Sequence, residues 1–204
     1  MNSGRMNKHL AQRMEHIKPF HVMSLLGKAK ALEQQGRDVI HLEVGEPDFD
    51  TPQPIIDAGL KALAQGKVHY TSSLGMPELR QAIADFYKSH YNTAISAEKV
   101  VITPGASGAL LLIMGALIGP GDALMLAEPG YPCNQNFVRF LNGEIQAISV
   151  NETTDYQLTA ELIEQNWQEN TRAVLLASPA NPTGTLVPEQ EMVKKIQLIK
   201  EKNA

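Results

Sequence analysis

Residues 99–132 read KVVITPGASGALLLIMGALIGPGDALMLAEPGYP, and their pattern decides the fold. The β-branched run over 99–103 predicts a strand. Gly105 opens a helix expected over 106–117. A second apolar run, 123–127, predicts another strand, and Pro132 starts a helix expected over 132–141. Strand, helix and strand in that order make a crossover unit, which sets the two strands parallel in one sheet.

The alternation continues on both sides. Downstream, Gly143 ends the helix, 145–150 predicts a strand, and 159–165 a short helix. Residues 173–177 predict a continuous buried strand, and 188–202 a helix with Pro at its start and lysines at its end. Upstream, 22–35 has helical spacing closed by Gly36, and 39–44 (VIHLEV) alternates like a short strand. Gly45, Pro47, Pro52 and Pro54 punctuate an ordered loop. Helices are expected over 55–64, stopped at Gly66, and over 76–90. In the second of these, Pro77 suits the first turn, Glu78 the positive end, and Leu79, Ile83 and Phe86 one apolar stripe. The class is α/β, with a mostly parallel sheet and helices on both faces. The alternation predicts a further strand after 202, so the sequence is expected to be cut there, as a sheet buried on both faces tolerates a missing strand poorly.

Bulk properties exclude several classes. The chain has 204 residues, 43% hydrophobic and 20% charged, which is ordinary globular composition. A formal net charge of −4 does not fit nucleic-acid binding. Cys133 is the single cysteine, so no internal disulfide framework exists and a reducing, cytoplasmic compartment is expected. The opening MNSGRMNKHLAQRMEHIKPF lacks the apolar core of a secretory signal. The longest apolar stretch, 109–118, is half the ~20 residues of a membrane span and is expected to be a buried core helix. His9, His16, His21, His41, His69 and His90 show no metal-ligand spacing.

Three strand ends carry candidate chemistry. Thr103-Pro-Gly-Ala-Ser-Gly108 places small residues where a strand turns into a helix. Backbone N–H groups and the helix dipole could receive a phosphate there, and the same residues could equally serve only a tight turn. Ala177-Ser-Pro-Ala-Asn-Pro-Thr-Gly184 follows another strand, and ligands in open α/β sheets bind outside the carboxyl ends of strands. Asn181 offers amide donors and a carbonyl acceptor there, or else only turn geometry. Glu128-Pro-Gly-Tyr-Pro132 occupies the third end, where Tyr131 could cover a flat ligand or simply pack.

Taken in order, Gly45-x-Pro-x-Phe49, Tyr70-Thr71 followed by Gly75 and Leu79-Arg80, the Thr-Pro-Gly-Ala-Ser turn, Glu128-Pro-Gly-Tyr-Pro and Asn181-Pro-Thr-Gly resemble the class I/II aminotransferases, pyridoxal-phosphate (PLP) enzymes of fold type I. The match runs over nearly the whole chain. The resemblance implies residues 1–50 as an N-terminal arm with part of a small domain, and 51–204 as an incomplete large cofactor-binding domain. It implies that Gly45 lies at the substrate carboxylate and that Tyr70 reaches the cofactor phosphate of the other subunit of a homodimer. Gly105, Ala106 and Ser107 would form the phosphate cup. Tyr131 would stack on the pyridine ring, and Asn181 would bond the ring's 3-oxygen and help hold the substrate carboxylate. The activity implied is amino transfer between an amino acid and a 2-oxo acid, in amino-acid metabolism and biosynthesis.

The resemblance places the Schiff-base lysine, the aspartate at the pyridinium nitrogen and a carboxylate-gripping arginine beyond residue 204, so no catalytic residue is expected within it and the chain alone is expected to be inactive. Ser96-x-x-Lys99 has the right spelling but precedes its strand, and reads as a solvated charge. Lys194 and Lys195 read as the solvated face of the last helix. Two alternatives share these motifs, a C–S lyase-type PLP enzyme and a non-catalytic fragment that binds PLP or dimerises.

Overall fold

The computed structural model describes residues 10–202. His9, the start of the segment tested for a signal, and Asn203 and Ala204 lie outside them. The chain divides into two compact units, one of residues up to Ala31 with Leu110 onward, the other Leu32–Ala109.

The first unit is built on three parallel strands, β1 (Ala123–Glu128), β2 (Glu144–Ser149) and β3 (Thr171–Leu175), in the order β2-β1-β3. The central strand alternates, as its sequence requires. Leu124 and Leu126 face one side, packed against Met114 and Val138 from α4 (Gly105–Leu117) and α5 (Pro132–Phe140), and against Ile118. Met125 faces the other side with Leu158, with Ile163 of α6 (Ala160–Gln165) and with Leu198 of α7 (Glu189–Glu201). Each such buried side chain contributes about 1.5–3 kcal/mol. Local signals start the helices: Pro132 lies in the first turn of α5, and Thr159 Oγ1 accepts the Leu162 N–H at 3.1 Å to cap α6.

The second unit holds α2 (Gln53–Ala64) and α3 (Pro77–Tyr91), and α1 (His21–Glu33) ends at its border. Gly36 and Gly66 follow α1 and α2 with positive φ, as helix stops should. Arg80 of α3 donates from Nε to the carbonyls of Ala97 and Val100 (3.0 and 2.9 Å) and from Nη2 to Ala97 (2.7 Å). That grip fixes the segment leading into the Thr103–Gly108 turn. Among the described residues, no helix is long and apolar enough to cross a membrane.

Four expectations need correction. Residues 39–44 form no strand, and of 99–103 Lys99 closes a 3-10 turn (Ala97–Lys99) while 100–103 run extended without a ladder, tied by Ile102 N–H to the Leu74 carbonyl at 3.0 Å and by Arg80 to the Val100 carbonyl. Alternation reports an extended chain, whereas a ladder needs a partner strand. The stretch 109–118 is not buried all round. Leu110, Met114 and Ile118, four apart, meet the sheet, while Leu112, Ile113 and Leu117 are 61%, 54% and 53% exposed. Lys195 is not solvated: it is 0% exposed, on the inner face of α7, while its neighbour Lys194 projects outward.

Candidate functional site

Parallel pairing brings the carboxyl ends of β1 and β3 side by side. The chain leaves β1 through Pro129-Gly130 into Tyr131, and leaves β3 through Leu176 into the 177–185 loop. A cavity of about 70 Å³ opens between these exits, with Tyr131, Asn134, Gln157 and Asn181 in its wall. Small-molecule pockets hold roughly 300–1,000 Å³, so the cavity as it stands is smaller than such a pocket.

Gly130 makes the first exit possible. A Cβ there would stand 2.6 Å from the Ala127 carbonyl oxygen, inside van der Waals contact. The turn delivers Tyr131, half-buried, onto the edge of Phe20 with ring centroids 5.7 Å apart at 78°. Such edge-to-face pairs are worth about 0.5–1.5 kcal/mol beyond burial. The Cys133 thiol beside the phenol, and then partial burial, hold the Tyr131 pKa above its ordinary value, so the ring stays neutral.

Asn181 stands on the second exit. The loop closes on itself through Ala180 N–H to the Thr185 carbonyl (2.9 Å) and Gly184 N–H to the Ala180 carbonyl (2.8 Å). The Asn181 amide is exposed and makes no hydrogen bond among the described residues, which leaves its donors and acceptor for a ligand.

The Thr103–Gly108 turn lies at the border of the second unit. Gly105 takes φ +73°, with open space where a Cβ would be, and its N–H closes on the Thr103 carbonyl at 2.7 Å. Thr103 Oγ1 donates to the Gly105 carbonyl at 2.8 Å. Ala106 and Ser107 stand exposed in the first turn of α4, where N–H groups have no helical acceptor. Gly45 lies exposed in a loop with nothing within 4 Å of where a Cβ would stand, and Tyr70 is 106% exposed, its ring free of the other described residues. The structure thus brings Tyr131 and Asn181 together. It describes Gly45, Tyr70 and the Thr103–Gly108 turn in the other unit.

Two wall residues were not found from the sequence. The Asn134 Oδ1 is buried without a partner among the described residues, an acceptor that a ligand donor would satisfy. Gln157 is 6% exposed and donates to the loop that carries Asn181. The position of Asn134, one turn beyond Tyr131, was a faint signal; Gln157 gave none.

The family model for aminotransferase class I and II matches residues 37–204. A (5-formylfuran-3-yl)methyl phosphate transaminase from Methanocaldococcus jannaschii is 39% identical over 89% of this chain and 47% of its own length. A probable aspartate/prephenate aminotransferase from Aquifex aeolicus is 36% identical over 93% of this chain and 48% of its own. Aspartate aminotransferase from Thermus thermophilus with maleate superposes at a TM-score of 0.90 and 31% identity, over 95% of this chain and 51% of that one. The chain spans about half the length of the curated relatives it matches. Members of the family use pyridoxal 5′-phosphate and share fold type I. On these matches, together with the parallel sheet, the chain belongs to the aminotransferase class I and II family.

Proposed function

We propose that this chain is the cofactor-receiving portion of a pyridoxal-phosphate aminotransferase that moves an amino group between an L-amino acid and a 2-oxo acid. One observation carries the reading: Tyr131 and Asn181, from two different strand exits, share the wall of one cavity. The residues fit the cofactor chemically. The N–H groups of Ala106 and Ser107 suit a phosphate at a helix start, on the turn that Gly105 opens with its own N–H held by the Thr103 carbonyl. Tyr131 suits the face of a pyridine ring, and Asn181 suits both a ring oxygen and a substrate carboxylate. Gly45 would leave its backbone open to that carboxylate. Tyr70, fully exposed and without a partner among the described residues, is assigned to the phosphate of a second subunit in a homodimer. When bound, PLP supplies an electron sink for the substrate's α-carbon.

These residues bind and orient. On this reading none of residues 10–202 is assigned the proton transfer. The test is an absorbance titration of the purified chain with PLP, followed by borohydride and mass spectrometry. Tyr131→Leu and Asn181→Ala should each weaken uptake by about tenfold, the worth of one stacking contact or one charge-assisted hydrogen bond. Uptake that ignores both substitutions, or a reduced adduct on one lysine of the chain, would overturn the assignment.

A further inference from the structure

The 177–185 loop has few internal ties. Among the described residues, one buried side chain hydrogen-bonds it from the rest of its unit. Gln157 lies just ahead of α6, packed beneath the loop at 6% exposure. Its Nε2 donates to the Thr185 carbonyl at 2.9 Å and to Thr185 Oγ1 at 3.0 Å, and reaches the Ala177 carbonyl at 3.5 Å. Ala177 and Thr185 are the two ends of the segment that carries Asn181. The Thr185 carbonyl accepts twice, from Gln157 and from the Ala180 N–H next to Asn181. Thr183 Oγ1 pairs with Thr185 Oγ1 at 3.0 Å, so the same cluster also reaches the residue two beyond Asn181. A buried amide that loses such partners is costly, so the clasp holds the loop in one conformation.

We infer that Gln157 is a positioning residue for Asn181: its side-chain amide clasps both ends of the 177–185 loop and so sets where the asparagine stands in the cavity. The inference rests on the function proposed above for Asn181, but the clasp itself does not. Preorganised sites depend on supporting hydrogen bonds of this kind, and a shift of about 1 Å at the presenting residue is felt as lost affinity.

Gln157→Leu removes the donors at similar size. The first readout is amide hydrogen exchange on the protein without cofactor. Exchange at Ala180 and Gly184 should rise by about tenfold, the worth of one hydrogen bond, while amides of β1 stay protected. Thr185→Ala, which deletes one acceptor at the loop and leaves the core alone, should raise it in the same direction. The second readout is the PLP titration in a cycle with Asn181→Ala. Gln157→Leu should weaken uptake by about tenfold in the native background and add little once Asn181 is gone. Unchanged exchange in both variants overturns the clasp. Full additivity with Asn181→Ala overturns the route through that residue. Should the native protein take up no PLP, the proposed function falls, and the exchange rates alone decide the clasp.

Discussion

Replacing Lys195 by Met should make the protein more stable, and more so at low pH than at high. Lys195 is 0% exposed, and its Nζ is buried with no hydrogen-bond partner among the described residues. The acid one turn back, Glu191, is otherwise engaged: Oε1 accepts the Ala160 N–H at 2.7 Å, and Oε2 lies 3.8 Å from Lys194 Nζ. Burial therefore lowers the Lys195 pKa from its ordinary 10.5, with Glu191 opposing only in part. A buried unpaired ion costs several kcal/mol, and hydrophobic replacements of buried ionic groups gain about 1–4 kcal/mol. Met keeps the length of the stem, so a gain of about 1–3 kcal/mol at neutral pH is expected. For a chain of this size that raises Tm by roughly 3–10 °C. The sign of the pH dependence follows from proton counts. Between the lowered folded pKa and 10.5, the unfolded chain binds more protons than the folded one, so native stability rises with pH there. The gap between Lys195→Met and the native protein should be widest below that window and close near its top. Urea unfolding followed by circular dichroism across the window measures it. A destabilised variant, or a gap indifferent to pH, would show that the ammonium reaches water, and the argument from burial would be refuted.

Other expectations rest on single contacts. His41 sits between Glu33 (3.0 Å) and Glu43 (2.7 Å), and these hydrogen bonds, Glu33 first, raise its pKa above 6.5. Its stabilising contribution is present below the ordinary value and lost as pH rises through the raised one. An NMR titration should find His41 above 6.5, and Glu33→Gln should move it back; an unmoved His41 would break the assignment. Gly130→Ala forces a methyl against the Ala127 carbonyl and should cost about 1–3 kcal/mol, with weaker PLP uptake because Tyr131 shifts. A variant that unfolds at the same urea concentration as the native chain would refute the close approach.

What could be read from the sequence follows the range of each cause. Helix starts and stops are local, so Pro132, Gly36 and Gly66 announced their roles. The motifs at the strand exits are local too, which is why Tyr131 and Asn181 could be named before the register brought them to one cavity. Ladders are not local. Residues 39–44 alternate as well as a paired strand does, and lack a partner among the described residues. Gln157 is invisible for a related reason, since its partners lie 20 and 28 positions away and only the packing of the segment before α6 beneath the loop joins them. Lys195 is the instructive miss, because the signal was present. Met192, Lys195 and Leu198 are spaced three apart on the inward face of α7, where periodicity calls for an apolar residue. Charge alone put Lys195 outside, but a four-carbon stem packs like Met, and the helix face had already been set by its neighbours. Where residue type and periodicity disagree inside a helix, burial follows the periodicity, and the disagreement marks the position whose replacement should stabilise the fold.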